Sequence, residues 1–414
     1  MRAVAAPMTE PHAEAPSVAR APRGTSRVDA VDVVRGVVMA LMALDHVRVF
    51  SGVPAGGPTA GVFLTRWVTH FCAPAFFFLA GTSAFLRGDG RPGDPSLPRW
   101  LATRGLVLVA LELTVIRLCW TFNFDYAHYV LAGVIWSLGW CMVLLAGIVR
   151  LPMRTIAALG LVLIAGHDAI PLLLHGQPAA LLGTPAGPWL RVLYFGGAFA
   201  LGGAPEPNAF VLYSLVPWVG VMSAGYAFGG ILRREPAARR AACLKLGLTL
   251  TLAFLLLRGT QLYGDRPWMT PPGEQAWAPA WIRFLATTKY PASLQFLLMT
   301  LGPTLIALGA LEGVANRATR AVAVLGRVPM FYYLLHIPLI HLLALVVATA
   351  RTPAALPWLF ANHPMHPPEV PPGYAWPLPL VHGITVLAIA GLFAPCRWYA
   401  RVKAERRWAW TTYI

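Results

Sequence analysis

Ten stretches of about twenty mostly apolar residues limit this chain more than any other feature. A hydrocarbon core of roughly 30 Å is crossed by about 20 residues of helix. The stretches lie near 31–50, 64–87, 100–118, 128–149, 153–175, 209–232, 240–258, 290–312, 325–349 and 378–400. Lipid offers no partner to an unpaired backbone amide, so runs of this length predict helices. With 57% hydrophobic and 12% charged residues, the composition excludes an ordinary soluble domain and a disordered chain. The expected fold class is all-α, a polytopic integral membrane helical bundle of about ten transmembrane helices.

The formal charge of +16 then has to sit in the connections, where it encodes orientation rather than a nucleic-acid surface. Of the 33 Lys and Arg residues, 23 fall on one set of alternating segments. Among them are Arg87, Arg99, Arg104, Arg150, Arg154, Arg233, Arg234, Arg317, Arg320, Arg327, Arg397, Arg401 and Lys403. The opposite set holds Arg48, Arg66, Arg117, Arg191, Arg258, Arg266, Arg283, Lys289 and Arg351, and Arg35 lies just inside the first span. The positive-inside rule therefore puts both termini in the cytosol.

Residues 1–26 have no apolar signal-peptide core and are expected to be a disordered cytosolic tail. Residues 27–400 form the membrane domain, and 401–414 a basic cytosolic tail. The long outer connections, about 176–208, 259–289 and 350–377, are rich in Pro, Gly and Trp. Loops of that length act as lids or interfacial segments. Five scattered cysteines and the pair His363 and His366 give neither a disulfide framework nor a metal site. No GxGxxG follows a strand, and GxxxxGK[ST], HExxH and GxSxG are missing, so dinucleotide, nucleotide-hydrolysis and serine-hydrolase chemistry lack support.

Ionisable groups inside spans are costly and mark functional sites. Arg35 and His46 are eleven residues apart, three turns plus about 20°, so they share one helix face with roughly 16 Å between them. A cation thus stands near the cytosolic side and an imidazole in the outer half. His70 lies at a similar depth on the second span, with Asp45, Arg48 and Arg66 at the same mouth. Asp45 and Arg48, three residues apart, can also simply neutralise each other. Glu112 lies deep in the third span, either at the site or as partner to a buried Arg; Arg117, Asp125 and His128 follow towards the outer end. Asp32 fits an N-terminal helix charge. His336 and His341 fall on different faces of the ninth span and read as buried, hydrogen-bonded histidines. Gly225 and Gly229 form a small-residue packing face.

The stretch from Arg27 through Asp32, Arg35 and Gly36 to His46 resembles the first helix of the transmembrane acyltransferase-3 superfamily. Leu44-Asp45-His46-Val47-Arg48 and Thr69-His70-Phe71-Cys72-Ala73-Pro74 look like the bacterial relatives of heparan-alpha-glucosaminide N-acetyltransferase. So do Lys289-Tyr290-Pro291-Ala292-Ser293-Leu294, Leu325-Gly326-Arg327-Val328-Pro329, and Tyr333 to Pro338. The resemblance spans about 27–341.

It implies an enzyme of the inner membrane that moves an acyl group, usually acetyl, from cytosolic acyl-coenzyme A to an extracytoplasmic sugar amine or hydroxyl. Acetyl-CoA would be a co-substrate, with no permanently bound cofactor. Arg35 and His46 inherit the essential roles. The first outer loop, 51–65, has no His where the animal enzyme carries its catalytic one, so His70 stands as a rival imidazole. The candidate set is therefore His46, His70, Asp45 and Glu112 for chemistry. Arg35, Arg104 and Arg327 are assigned to coenzyme A, and Arg48, Arg66 and Lys289 to the acceptor. His46 or His70 would serve as general base or as acyl carrier. The same His and carboxylate set would also suit a proton-coupled transporter.

Overall fold

A computed structural model describes residues 29–88, 95–173, 178–269, 276–361 and 368–405. The two predicted tails, apart from 401–405, lie outside these residues, as do Arg91, His363 and His366. The described chain is an all-α polytopic membrane protein with three very short strands. Its helices are α1 Asp29–Phe50, α2 Ala60–Arg87, α3 Ser96–Leu111, α4 Val134–Ile148, α5 Met153–Gly166 and α6 Leu215–Phe228. There follow α7 Pro236–Thr260, α8 Leu294–Ala310, α9 Arg317–Arg327, α10 Pro329–Arg351 and α11 Leu378–Glu405. Each of the ten apolar stretches contains or overlaps one of these helices; α9 is largely additional.

Several boundaries differ from the hydropathy reading for local reasons. The predicted ninth span splits, because Val328 leaves helical geometry (φ −131°, ψ 50°) and Pro329 begins α10 afresh. Residues 128–133 and 209–214 are not helical; they supply strands β1 Val130–Ala132 and β3 Ala209–Val211. With β2 Gly197–Phe199 these form a small sheet of order β1-β3-β2, the first pair parallel and the second antiparallel. Helix α8 starts at Leu294 rather than 290, because Ser293 caps it by accepting from the Phe296 amide at 3.0 Å. Helix α5 stops at Gly166 instead of continuing towards 175. His167 beyond it bonds Ala292 O at 2.6 Å, and Asp168 accepts from the Leu294 amide at 2.6 Å. The polar pair that interrupts the apolar run thus fastens the start of α8.

Helix α1 is central, packed against α2, α8, α9, α10 and α11. Its mean character is too charged for a simple lipid-facing span, and most of its length is buried by protein. By contrast α7 and α11 present Leu252, Leu256, Val386 and Leu387 outward, the surface expected against lipid tails. Inside the bundle apolar burial does not drive association, because lipid is equally apolar; close backbone approach does. At the α1–α9 crossing a Cβ on Gly36 would lie 2.0 Å from Val322 O, and one on Gly326 would lie 1.9 Å from Asp32 O. Gly225, predicted to pack, meets Phe78 O on α2 in the same way at 2.0 Å.

Gly326→Leu should therefore push α9 off α1 and lower stability by about 1–3 kcal/mol, the usual cost of overpacking. A fall in the melting temperature of the detergent-purified protein checks this; an unchanged melt would refute the packing argument.

Candidate active site

Three cavities open in the bundle, and the predicted site residues sort among them. The first, about 400 Å³, is lined by Asp45, His46, Arg48, Arg66 and Glu112 together with Trp120, Tyr213, Tyr290 and Tyr333. The small sheet forms part of its wall through Leu131, Gly133 and Leu212. This is why the departures from helix at 128–133 and 209–214 matter: they carry backbone and side chains to the cavity.

His46, 9% exposed, sits on α1 with its Nδ1 2.7 Å from Nε2 of His336 on α10. His336 is fully buried, and its own Nδ1 lies 2.7 Å from Tyr333 O and 3.2 Å from Tyr332 O. A carbonyl can only accept, so Nδ1 of His336 carries the hydrogen. The neutral His336 ring then accepts at Nε2 from Nδ1–H of His46. That leaves Nε2 of His46 as its unprotonated nitrogen. A backbone carbonyl and one imidazole together select the tautomer of a second imidazole, the task a carboxylate performs in hydrolase triads. Trp120, edge-on at 4.7 Å between centroids, further fixes the ring.

Asp45 is bound to Arg48 at 3.1 Å, and Arg48 also donates to Val53 O at 3.2 Å. The local ion pair anticipated from their spacing is therefore present, and it faces the cavity. Glu112 is fully buried and, among the described residues, has no Arg partner. Its carboxyl group accepts from the backbone at Gly133, Ile135 and Trp136, at the start of α4. One oxygen, Oε2, has no partner. A π-helical turn, Glu112–Ile116, interrupts the third span here; the inserted residue shifts the helical register beside the cavity.

Arg117, fully buried, donates instead to Tyr129 O at 3.2 Å, Thr121 Oγ1 at 2.8 Å, Asn123 and Asp125 O at 2.6 Å. It folds the turn leading into β1. Asp125 and His128, read towards the outer end, pair with each other at 2.8 Å at the surface.

The second cavity, about 470 Å³, is lined by the cations Arg35, Arg87, Arg104, Arg327 and Lys403 and by apolar residues such as Met39, Phe76, Leu108 and Leu138. Four of these five cations, all but Arg35, come from the segments that the charge count placed together. Arg35 is held by Ser83 Oγ at 2.8 Å and Gly326 O at 3.2 Å, so the α1–α9 glycine crossing also positions the cation. Asp32 does more than occupy the first turn: it lies 3.7 Å from both Arg35 and Arg327. Tyr333 and Val134 line both this cavity and the one containing His46.

The third cavity, about 430 Å³, contains His70, Lys289, Trp67, Trp268 and Trp277, and shares Ala55, Arg66 and Tyr290 with the His46 cavity. His70 is thus placed beside the His46 cavity rather than among its lining residues.

The sequence matches the family described as heparan-alpha-glucosaminide N-acetyltransferase, catalytic, over residues 27–262. The chain belongs to this family. No curated protein matches it. It is a membrane acetyltransferase, and the matched region contains α1 to α7, with His46, His70, Glu112 and Arg35 among its residues.

In this acetyltransferase, His336 is the residue that the sequence left without a role. Its neighbour in space is 290 positions away in sequence, and no spacing rule reaches that far. Arg258 is the second such residue. It is 2% exposed and donates to Phe284 O, Arg283 O, Ala286 O and Arg266 O at 2.8–3.1 Å and to Gln295 Oε1 at 3.1 Å. Arg258 thereby ties residue 266 to residues 283–286, all beside the third cavity. His341 is a buried histidine as expected, with Nδ1 3.1 Å from Cys119 O.

Proposed function

We propose that the acetyltransferase moves an acetyl group from acetyl-CoA, bound in the basic cavity on the cytosolic side, to a sugar amine or hydroxyl held in the His46 cavity from the other side. One observation carries this reading: the tautomer-selected His46 lines a cavity that meets the five-cation cavity at Tyr333 and Val134. Phosphate groups suit the Arg cluster, and the apolar walls beyond it suit the pantetheine arm.

At the junction, Nε2 of His46 removes the proton as the acceptor nitrogen or oxygen attacks the thioester carbon. The tetrahedral oxyanion takes a hydrogen bond from Tyr333, whose ring lies 6.2 Å from His46 between centroids. The C–S bond then breaks, and the imidazolium returns its proton to the leaving thiolate. Oε2 of Glu112 accepts from the acceptor and orients it. Direct transfer is favoured over an acyl-histidine because the two cavities share Tyr333 and Val134 as walls, which brings both substrates to neighbouring positions at once.

Detergent-purified protein should release free CoA only when acetyl-CoA and an amino sugar such as glucosamine are both supplied. CoA release that ignores a broad panel of sugars would refute the reading. Arg104→Ala should raise KM for acetyl-CoA by about 10- to 100-fold with a smaller change in kcat, the effect of losing one charge-assisted contact. A normal KM would remove Arg104 from the donor site.

A further inference from the structure

The third cavity holds polar groups that the transfer step leaves unused. Lys289 is 7% exposed, and among the described residues no carboxylate lies within ion-pair distance of it. Its ammonium instead rests 5.2 Å and 5.9 Å from the ring centres of Tyr290 and Tyr213. His70, also 7% exposed, has no partner at Nδ1. Trp67 Nε1 and Arg283 Nε, both buried atoms, have none either. Buried polar atoms normally find partners, and a cluster without them marks a place where a ligand supplies them.

The charges that are already committed narrow the choice. Asp265, the carboxylate in this lining, accepts from Thr288 N, Thr288 Oγ1, Ser293 Oγ and Arg266 N at 2.6–2.9 Å. Arg258 is spent on carbonyls, and Asp45 on Arg48. What remains in the lining is Lys289, Arg66, Arg266 and several N–H donors, flanked by Trp268 and Trp277.

We propose that this cavity seats a phosphate ester, with Lys289 and Arg66 binding the phosphoryl oxygens and the Trp faces packing on the attached group. A carboxylate offers two oxygens; the larger set of donors here matches a tetrahedral oxyanion. Arg66 and Tyr290 border both cavities, so the seat lies next to the acceptor position of the proposed transfer. Its role as an acceptor subsite rests on that reading, whereas the binding itself does not. The phosphate can belong to a sugar phosphate or to a lipid headgroup.

Calorimetric titration of the purified full chain, without acetyl-CoA, tests this with four probes: glucosamine 6-phosphate, glucosamine, inorganic phosphate and short-chain phosphatidic acid. At least one phosphate ester should bind ten or more times more tightly than glucosamine, and the tighter of the two esters names the source. Lys289→Gln should weaken that ester by about 10- to 100-fold and leave glucosamine unchanged. Arg66→Gln, paired with a thermal melt, repeats the test in case the first variant is unstable. Equal affinity for glucosamine and both esters, tightest binding by inorganic phosphate alone, or an ester Kd untouched by both substitutions would overturn the proposal. Ester binding without any CoA release in the same preparation would sink the acetyl-transfer reading and leave the phosphate seat standing.

Discussion

His46→Ala should lower acetyl-CoA-dependent CoA release by about 10²- to 10⁴-fold, the range lost when a positioned general base is removed. The argument rests on tautomer and place. Nε2 is the unprotonated nitrogen because Nδ1–H is engaged by His336 at 2.7 Å, and the ring lines the cavity that meets the donor cavity. KM for acetyl-CoA should change little, since the cations that would hold coenzyme A are elsewhere on the molecule. Steady-state kinetics on protein with an unchanged melting temperature provides the check. Wild-type turnover in a folded His46→Ala protein would remove this imidazole from the mechanism and return His70 to consideration.

His336→Leu is expected to have the second largest effect, on the order of 10²-fold or more in kcat, by analogy with loss of the orienting group of a triad. Leu fills similar space but accepts nothing, so His46 is free to adopt either tautomer and to rotate. His336 touches no substrate in the proposed mechanism; it is a positioning residue. The discriminating readout is the conservative variant His336→Gln, whose amide oxygen can still accept from Nδ1–H. Partial rescue by Gln, together with a pH–rate profile displaced from wild type in the Leu variant, would support the relay. Equal losses in Leu and Gln variants with an unaltered profile would reduce His336 to a packing role.

The particular residues show what was legible beforehand. Arg35 and His46 share a face because eleven residues are three turns plus about 20°, and the structure places them in the two cavities that meet at Tyr333. Arg104 and Arg327 were assigned with Arg35 to coenzyme A, and all three line one cavity. Asp45, Arg48, Arg66 and Glu112 likewise share the His46 cavity, while His70 and Lys289 fall in its neighbour. His336 was visible only as a polar residue in an apolar span. Its partner is on another helix, and helical periodicity relates residues within one helix only. Glu112 was read as an Arg partner because a buried carboxylate needs compensation; its hydrogen bonds come instead from backbone amides at the start of α4.

Length of apolar runs and the placement of basic residues thus determined an all-α membrane bundle, because lipid forces every backbone group into internal hydrogen bonds and residue counts set the span. Local spacing also determined which ionisable groups ride on the same helix. Tertiary structure alone decided which of them meet. The glycine crossing of α1 and α9, the pairing of His46 with His336, the tying of residue 266 to residues 283–286 by Arg258 and the joining of cavities at Tyr333 and Arg66 depend on contacts between distant segments. These contacts are set by close packing and geometry in three dimensions, which no periodicity along one helix encodes.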